Sequence, residues 1–227
     1  MGYSTTFWGS VSVSPALNKA ERDYLTTFAG TRREPGPLWP RQLAGEPSWW
    51  CHWAPSTDGS TLRWNGQEKF YAGTEWMAYL IDNFLRPEAT AAQTGDAQFA
   101  GFTFDHRCSG TIFALASPEL GVIEAWRLEV VGNVVTHHEY HVPVLDLDDD
   151  AWEEVEDDES LDIEYAFTLA MQGKARGLRQ LTGALDRYAE LGQQPVIVAV
   201  QAFGSDLAQV HPEPASLLAA LGLPPAS

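Results

Sequence analysis

The sequence lacks the features that mark several large protein classes. Its 227 residues include only two cysteines, and a chain of this size folds without a disulfide framework. No apolar run reaches the roughly 18 residues needed to cross a bilayer, and no basic segment with an apolar run behind it stands at the start. We therefore expect a cytoplasmic protein with no membrane partner.

Positive charge is also scarce. Lysine and arginine number 14 against 31 aspartates and glutamates, and the formal net charge is −17. Because a nucleic-acid backbone repels such a surface, direct nucleic-acid binding is not expected. The sequence also has no P-loop, dinucleotide-binding fingerprint, nucleophile elbow or HExxH pattern. We accordingly predict no catalytic residues and no cofactor. Whether the protein is an enzyme stays open, and the sequence favours a non-catalytic role.

The negative charge is concentrated in one stretch, residues 146–164, which we call the acidic segment. Twelve of its nineteen residues are Asp or Glu, whereas residues 1–141 hold fifteen acids and ten bases, and residues 165–227 hold four of each. Trp152 and Val155 interrupt it at helical spacing and predict a turn that docks on the body. Its start, Asp-x-Asp-x-Asp from Asp146, is similar to a calcium loop, but Ala151 replaces the required glycine, so only weak divalent binding is expected.

Residue patterns predict an α+β fold in a single composite domain. Aromatic and β-branched residues with period-2 alternation predict a strand over residues 3–13. Residues 49–53 and 61–64 predict a hairpin around an Asp-Gly turn. Apolar residues at helical spacing predict helices over residues 18–29, 74–86 and 175–191, the second capped by Thr74. Further strands are predicted at residues 99–104, 110–116, 123–131 and 134–142. The expected architecture is a mainly antiparallel sheet packed against two to three helices.

Three regions of the chain are predicted. Residues 1–142 form the α+β core, residues 143–164 are an acidic linker or partly ordered segment, and residues 165–227 are a helix-strand extension that joins the same core. The extension's strand is predicted at residues 195–203, PVIVAVQAF, because an uninterrupted apolar run is typical of a strand buried on both faces.

Three motifs in the first 135 residues carry a resemblance. They are GYST at residues 2–5, WCxWxPxxDG at residues 50–59 and GxEKFYxxxEWxxYLI at residues 66–81. This part of the chain resembles an uncharacterised family of small phage and bacterial proteins. The family has no assigned activity, so the resemblance implies a phage-related or host-conflict setting and no site residues.

Histidines and cysteines raise the question of a metal site. His137 and His141 share one face of a predicted strand but stand about 13 Å apart, which is too far for one ion. A pairing of His137 with Glu139, or of His138 with another strand, remains open. A zinc site or a cysteine-histidine nucleophile would have to combine two segments of the chain that lie on neighbouring strands. The candidate residues for both sites are Cys51, His52, His106 and Cys108. No CxxC motif supports either, so we predict no metal.

Residues 49–76 offer an alternative to an interaction role. Seven aromatic side chains occur in this stretch, and part of this set could line a groove for a flat ligand or a peptide. Glu68 and Glu75 could serve as an acid-base pair, although Glu75 is also explained by its position at a helix N-terminus. Core packing is the plainer interpretation of the aromatic residues.

The main functional hypothesis is a non-catalytic interaction protein whose acidic surface engages a basic protein partner. The alternative is a small-ligand-binding protein or an enzyme that uses residues 49–76. The predicted partner-binding residues are Asp148, Asp149, Asp150, Glu153, Glu154, Asp157 and Asp158.

Overall fold

A computed structural model describes residues 4–33, 45–119, 121–147, 152, 155, 158 and 161–225. The fold is α+β, as predicted, with one six-stranded antiparallel sheet in the order β2-β3-β1-β4-β5-β6. The strands are β1 (Thr5–Ser14), β2 (Trp53–Pro55), β3 (Thr61–Trp64), β4 (Arg107–Glu119), β5 (Val122–Val131) and β6 (Val134–Tyr140).

The described residues contain seven α-helices, more than the two to three predicted. They are α1 (Lys19–Ala29), α2 (Gly73–Leu80), α3 (Thr90–Thr94), α4 (Ile163–Met171), α5 (Ala175–Glu190), α6 (Gln194–Leu207) and α7 (Pro214–Ala220). A π-helical turn, Ile81–Leu85, continues α2. The predicted helices correspond to α1, α2 with this turn, and α5.

Local side chains explain where α1 begins. The Asn18 side chain accepts a hydrogen bond from the Glu21 amide, and the Glu21 carboxylate accepts one from the Asn18 amide at 2.8 Å. This reciprocal capping box satisfies two backbone donors that a helix start leaves unpaired. Helix α2 starts differently from the prediction. Ala72, in left-handed conformation, is its N-cap, whereas the Thr74 hydroxyl lies 3.0 Å from His137 Nδ1.

The predicted hairpin is confirmed in its second strand and turn, with Trp53 opposite Trp64. Its first strand is Trp53–Pro55, later in the chain than the predicted residues 49–53. In its turn, Asp58 accepts hydrogen bonds from the Ser56 hydroxyl at 2.6 Å and from the Ser60 amide at 3.1 Å. These bonds hold the pKa of Asp58 at about 2. Gly59 follows with φ of +78°, a conformation that favours glycine.

Two glycines allow β1 and β4 to approach each other closely. A Cβ atom on Gly9 would lie 2.4 Å from the Thr111 carbonyl oxygen, and one on Gly110 would lie 2.4 Å from that of Ser10. Side chains do not reach such distances, so both positions require glycine.

The chain divides into two compact units. The first, here the helical unit, comprises Met1–Trp8, Phe113–Trp126 and Glu139–Ser227. Its core packs residues of β4 and β5 with all four helices from α4 to α7. Phe167 and Phe203 lie at its centre, 5.5 Å apart and almost perpendicular, and Trp8 packs against both.

The second unit, here the aromatic unit, comprises Gly9–Ile112 and Arg127–His138. Tyr24 of α1 contacts three phenylalanine rings at centroid distances of 5.2–5.4 Å. Phe28, one turn later, lies against Trp76 and Tyr79 of α2. Helices α1 and α2 are therefore joined through a shared set of aromatic side chains.

Two predicted strands are wrong. Residues 195–203 belong to α6, and within residues 161–225 the structure shows helices and turns and no strand, so this region does not extend the sheet. The apolar run is helical because Pro195 is in the first turn and one face packs into the core. Residues 99–104 are not a strand either: Phe99 ends a single 3₁₀ turn, Ala97–Phe99.

Among the described residues, no helix combines the length and the apolar character that a bilayer crossing needs.

Candidate functional site

Most of the predicted partner-binding surface lies outside the described residues. This applies to Asp148, Asp149, Asp150, Glu153, Glu154 and Asp157. Asp158 is described, and its Oδ2 accepts a hydrogen bond from Arg187 Nε of α5 at 3.0 Å. The Asp158 carboxylate is thus held by a base of its own chain.

Apolar residues attach the acidic segment to the helical unit. Val155 and Leu161 are buried in the core, and Trp152 packs against it. Trp152 and Val155 are both helical, which confirms the predicted docking turn. A Cβ atom on Gly121 would lie 2.5 Å from the Trp152 ring, so the ring lies directly on the backbone at this glycine. The acidic side chains are therefore carried on a segment that has its own anchors in the core.

A surface groove of about 660 Å³ lies beside the start of this segment. Its floor is formed by α6, and its wall by the end of β6 and the residues after it. The lining residues are Glu139, Tyr140, His141, Pro143, Gln194, Pro195, Val198, Ala199 and Ala202. Val198 is 57% exposed although it is aliphatic. We call this feature the α6 groove.

Tyr140 fixes the wall of the α6 groove to its floor. The Tyr140 hydroxyl donates a hydrogen bond to Asp206 Oδ2 of α6 at 2.6 Å. Its ring meets the buried Phe203 ring edge to face at 5.2 Å. The groove is therefore preformed by contacts within the helical unit.

The acidic segment begins where the α6 groove ends. The Gln193 carboxamide donates to the Asp146 carbonyl oxygen at 2.9 Å and accepts from the Asp146 amide at 3.3 Å. Gln193 is the residue before α6, and its neighbour Gln194 lines the groove. The first residue of the acidic segment is thus tied to the α6 N-terminus.

Charge is distributed very unevenly between the two units. The residues of the helical unit include nineteen Asp and Glu against four Lys and Arg, whereas those of the aromatic unit include twelve against ten. The formal charges are −15 and −2. The α6 groove fits this distribution, since its lining includes Glu139 and neither Lys nor Arg. A cation approaching this unit meets an attractive field.

Three of the seven aromatic side chains of residues 49–76 lie in the interior of the aromatic unit. Trp53, Phe70 and Trp76 are buried, and Trp53 Nε1 donates to the Gly73 carbonyl oxygen at 2.7 Å. Trp49 is 43% exposed, with the Arg32 guanidinium 4.2 Å above its ring. The plainer interpretation, core packing, thus holds for the three buried side chains, whereas Tyr71, like Trp49, is 43% exposed.

The possible zinc ligands are not brought together. Within the part of the chain that the structure describes, no three histidine, cysteine, aspartate or glutamate side chains form a metal-binding group. His52 lies between Trp50 and Phe70, and burial lowers its pKa. Burial also raises the pKa of both Cys51 and Cys108 to about 12. Neither thiol has the thiolate character that a nucleophile needs.

The remaining titratable candidates have separate surroundings. His137 lies next to Thr74, His138 Nε2 is 3.3 Å from Glu129 Oε2, and His141 lines the α6 groove. Glu68 and Glu75 are both exposed.

Sequence reasoning missed the α6 groove because residues 195–203 were interpreted as a strand. Two signals could have revealed it. Pro195 is typical of the first turn of a helix, and Pro195, Val198, Ala199 and Ala202 repeat at the helical spacing of three and four residues.

The sequence matches no protein-family model, no curated protein and no solved structure. The resemblance to a family of small phage and bacterial proteins therefore stays a prediction.

Proposed function

We propose that this protein is a non-catalytic interaction protein that binds a basic protein partner through the acidic segment. The observation that carries the proposal is the charge distribution: the helical unit has a formal charge of −15, and twelve of its nineteen acids fall within residues 146–164. A structural role alone does not require such a density of like charges, which repel each other and oppose folding.

Electrostatic attraction explains how the segment would act. At 0.1 M ionic strength the Debye length is about 10 Å, so exposed charges still attract a partner across several water layers. A partner with clustered Lys and Arg would associate faster and in a defined orientation. The core anchors Val155 and Leu161 would keep the acidic side chains at the surface of the helical unit.

The alternative, a ligand site or enzyme built on residues 49–76, has less support. Trp53, Phe70 and Trp76 are used in packing, and both thiols are buried with raised pKa values. The phage or host-conflict setting is a prediction that depends on the resemblance alone.

Partner capture with a charge-neutralised chain tests the proposal. The test variant changes Asp148, Asp149, Asp150, Glu153, Glu154, Asp157 and Asp158 to Asn or Gln. A matched control makes the same number of changes at exposed acids outside the acidic segment, namely Asp23, Glu68, Glu75, Asp82, Glu88, Asp105 and Glu124. Both variants have the same net charge of −10.

We expect the wild-type chain and the control to capture the same basic proteins at about 0.1 M salt and to release them near 1 M, where the Debye length is about 3 Å. The test variant should lose them at both concentrations. Equal, salt-insensitive capture by all three chains would show that the segment only confers solubility.

A further inference from the structure

We propose that the α6 groove receives the apolar face of a basic amphipathic helix of the partner protein. This inference rests on the proposed function and adds where the partner docks and which structure it presents. The acidic segment would attract the partner, and the α6 groove would hold it.

The floor of the α6 groove has the pattern of a helix-packing surface. Pro195, Val198, Ala199 and Ala202 follow one another at intervals of three, one and three residues, which places them along one stripe of α6. Two of the four are alanines, whose small side chains allow a second helix to approach to the usual 8–10 Å between axes. Val198 stands out from this stripe with 57% exposure. Covering an exposed aliphatic side chain favours association.

Charge complementarity selects a basic helix. The lining of the groove includes neither Lys nor Arg, and Gln193 ties the first acidic residue, Asp146, to the N-terminal end of its floor. A helix lying on Val198 would therefore have flanking side chains at one end near Asp146, where the acidic segment begins. Lysines and arginines at those flanks would keep their charged ends in water while their methylene stems cover the groove edge.

The fixed wall favours a preformed site over one assembled on binding. Tyr140 is held between Asp206 and Phe203, so its orientation does not have to change when a helix docks. Helix-in-groove recognition uses this combination of an apolar floor and polar flanks.

The test uses two synthetic peptides of about 18 residues composed only of leucine and lysine. In one peptide the leucines form a single helical face, and in the other the same residues are shuffled so that no face is apolar. Binding to the full chain is measured by calorimetry at about 0.1 M salt. We expect the amphipathic peptide to bind at least about tenfold more tightly, equivalent to about 1.4 kcal/mol.

Val198→Asp probes the floor of the groove. Although this change adds a negative charge, it should weaken binding of the amphipathic peptide about tenfold and leave the shuffled peptide unaffected. Val210→Asp is the matched control, because Val210 is also exposed, at 42%, and lies outside the groove. A second probe, Ala202→Gln, fills the groove without adding charge and should have a similar effect to Val198→Asp. Circular dichroism confirms that each variant is folded.

The outcomes separate the two proposals. Equal affinity for both peptides, or equal effects of Val198→Asp and Val210→Asp, would overturn the groove inference and leave the acidic-segment proposal standing. If the charge-neutralised chain bound neither peptide while the Val198→Asp chain bound both as wild type does, binding would also be assigned to the acidic segment. Absence of binding by either peptide to wild type would overturn both.

Discussion

His106 and Glu21 form a buried ion pair in the aromatic unit. His106 Nδ1 lies 2.8 Å from the Pro15 carbonyl oxygen, and Nε2 lies 3.1 Å from Glu21 Oε1. The Thr103 hydroxyl lies 3.2 Å from the same Nε2, so the two side chains belong to one buried polar network. Burial raises the pKa of Glu21, but hydrogen bonds from the Thr103 and Asn18 amides and from His106 outweigh it and hold the value below 4.5.

Glu21→Gln tests this pair. The amide keeps an acceptor oxygen for the capping box but removes the negative charge beside the buried His106 ring. We expect the free energy of unfolding to fall by about 3 kcal/mol at pH 7, as measured by urea denaturation. Glu75→Gln, an exposed carboxylate in the first turn of α2, is the control and should change it by less than about 0.5 kcal/mol.

The pH dependence of the Glu21→Gln effect follows from the lowered pKa of Glu21. A carboxyl group with a lowered folded-state pKa stabilises the fold above its unfolded pKa, and this contribution is lost as the pH falls through the folded-state value. The difference between wild type and Glu21→Gln should therefore be largest above about pH 5 and shrink on further acidification. A difference that is constant from pH 7 to pH 3 would contradict the ion pair.

Among the secondary-structure elements, α5 shows how packing determines where glycine is required. A Cβ atom on Gly177 would lie 2.3 Å from the Ala170 amide nitrogen at the end of α4, whereas a Cβ atom on Gly183 would have no neighbour within 4 Å. Both glycines lie in the same helix, and Gly183 is exposed. Substituting alanine at each position therefore distinguishes the effect of close packing on stability from the effect of helix propensity.

We expect opposite effects from these two substitutions. Gly177→Ala should lower the melting temperature, because α4 and α5 would have to move apart at a backbone contact, at a cost of about 1–3 kcal/mol. Gly183→Ala should raise stability by about 0.5–1 kcal/mol, since alanine is the better helix former. Calorimetric scans of the two variants are the measurement. Equal signs would show that the approach of α4 and α5 is not what fixes Gly177.

At the scale of the whole molecule, the main property is the uneven charge. The formal charges of −15 and −2 on the helical and aromatic units imply self-repulsion in the helical unit alone. Added salt screens this repulsion, so stability should rise with ionic strength at moderate concentrations.

Thermal unfolding in sodium chloride measures this effect. Between about 0.05 M and 0.5 M salt we expect the melting temperature of the wild-type chain to rise by about 2–4 °C, the shift that about 1 kcal/mol produces at this chain length. The chain neutralised at seven positions in the acidic segment should rise less, whereas the control neutralised in other parts of the chain should behave like wild type. An identical rise in all three would assign the salt effect to something other than the acidic segment.

The sequence by itself determined the features that depend on neighbouring residues. The Asp-Gly turn of the hairpin, the helical stripe of α5 and the charge of residues 146–164 were predicted because each is set within a few positions. The α+β class followed from these elements taken together.

The tertiary structure decided what depends on contacts between distant residues. The apolar run at residues 195–203 is compatible with a strand or a helix, and it is helical because one face packs on Phe167 and other core residues while Val198 stays exposed. That choice also creates the α6 groove, since its wall comes from Tyr140, more than fifty positions earlier in the chain. Sequence spacing does not show which segments meet across such separations, so the docking surface could only be found in the folded chain.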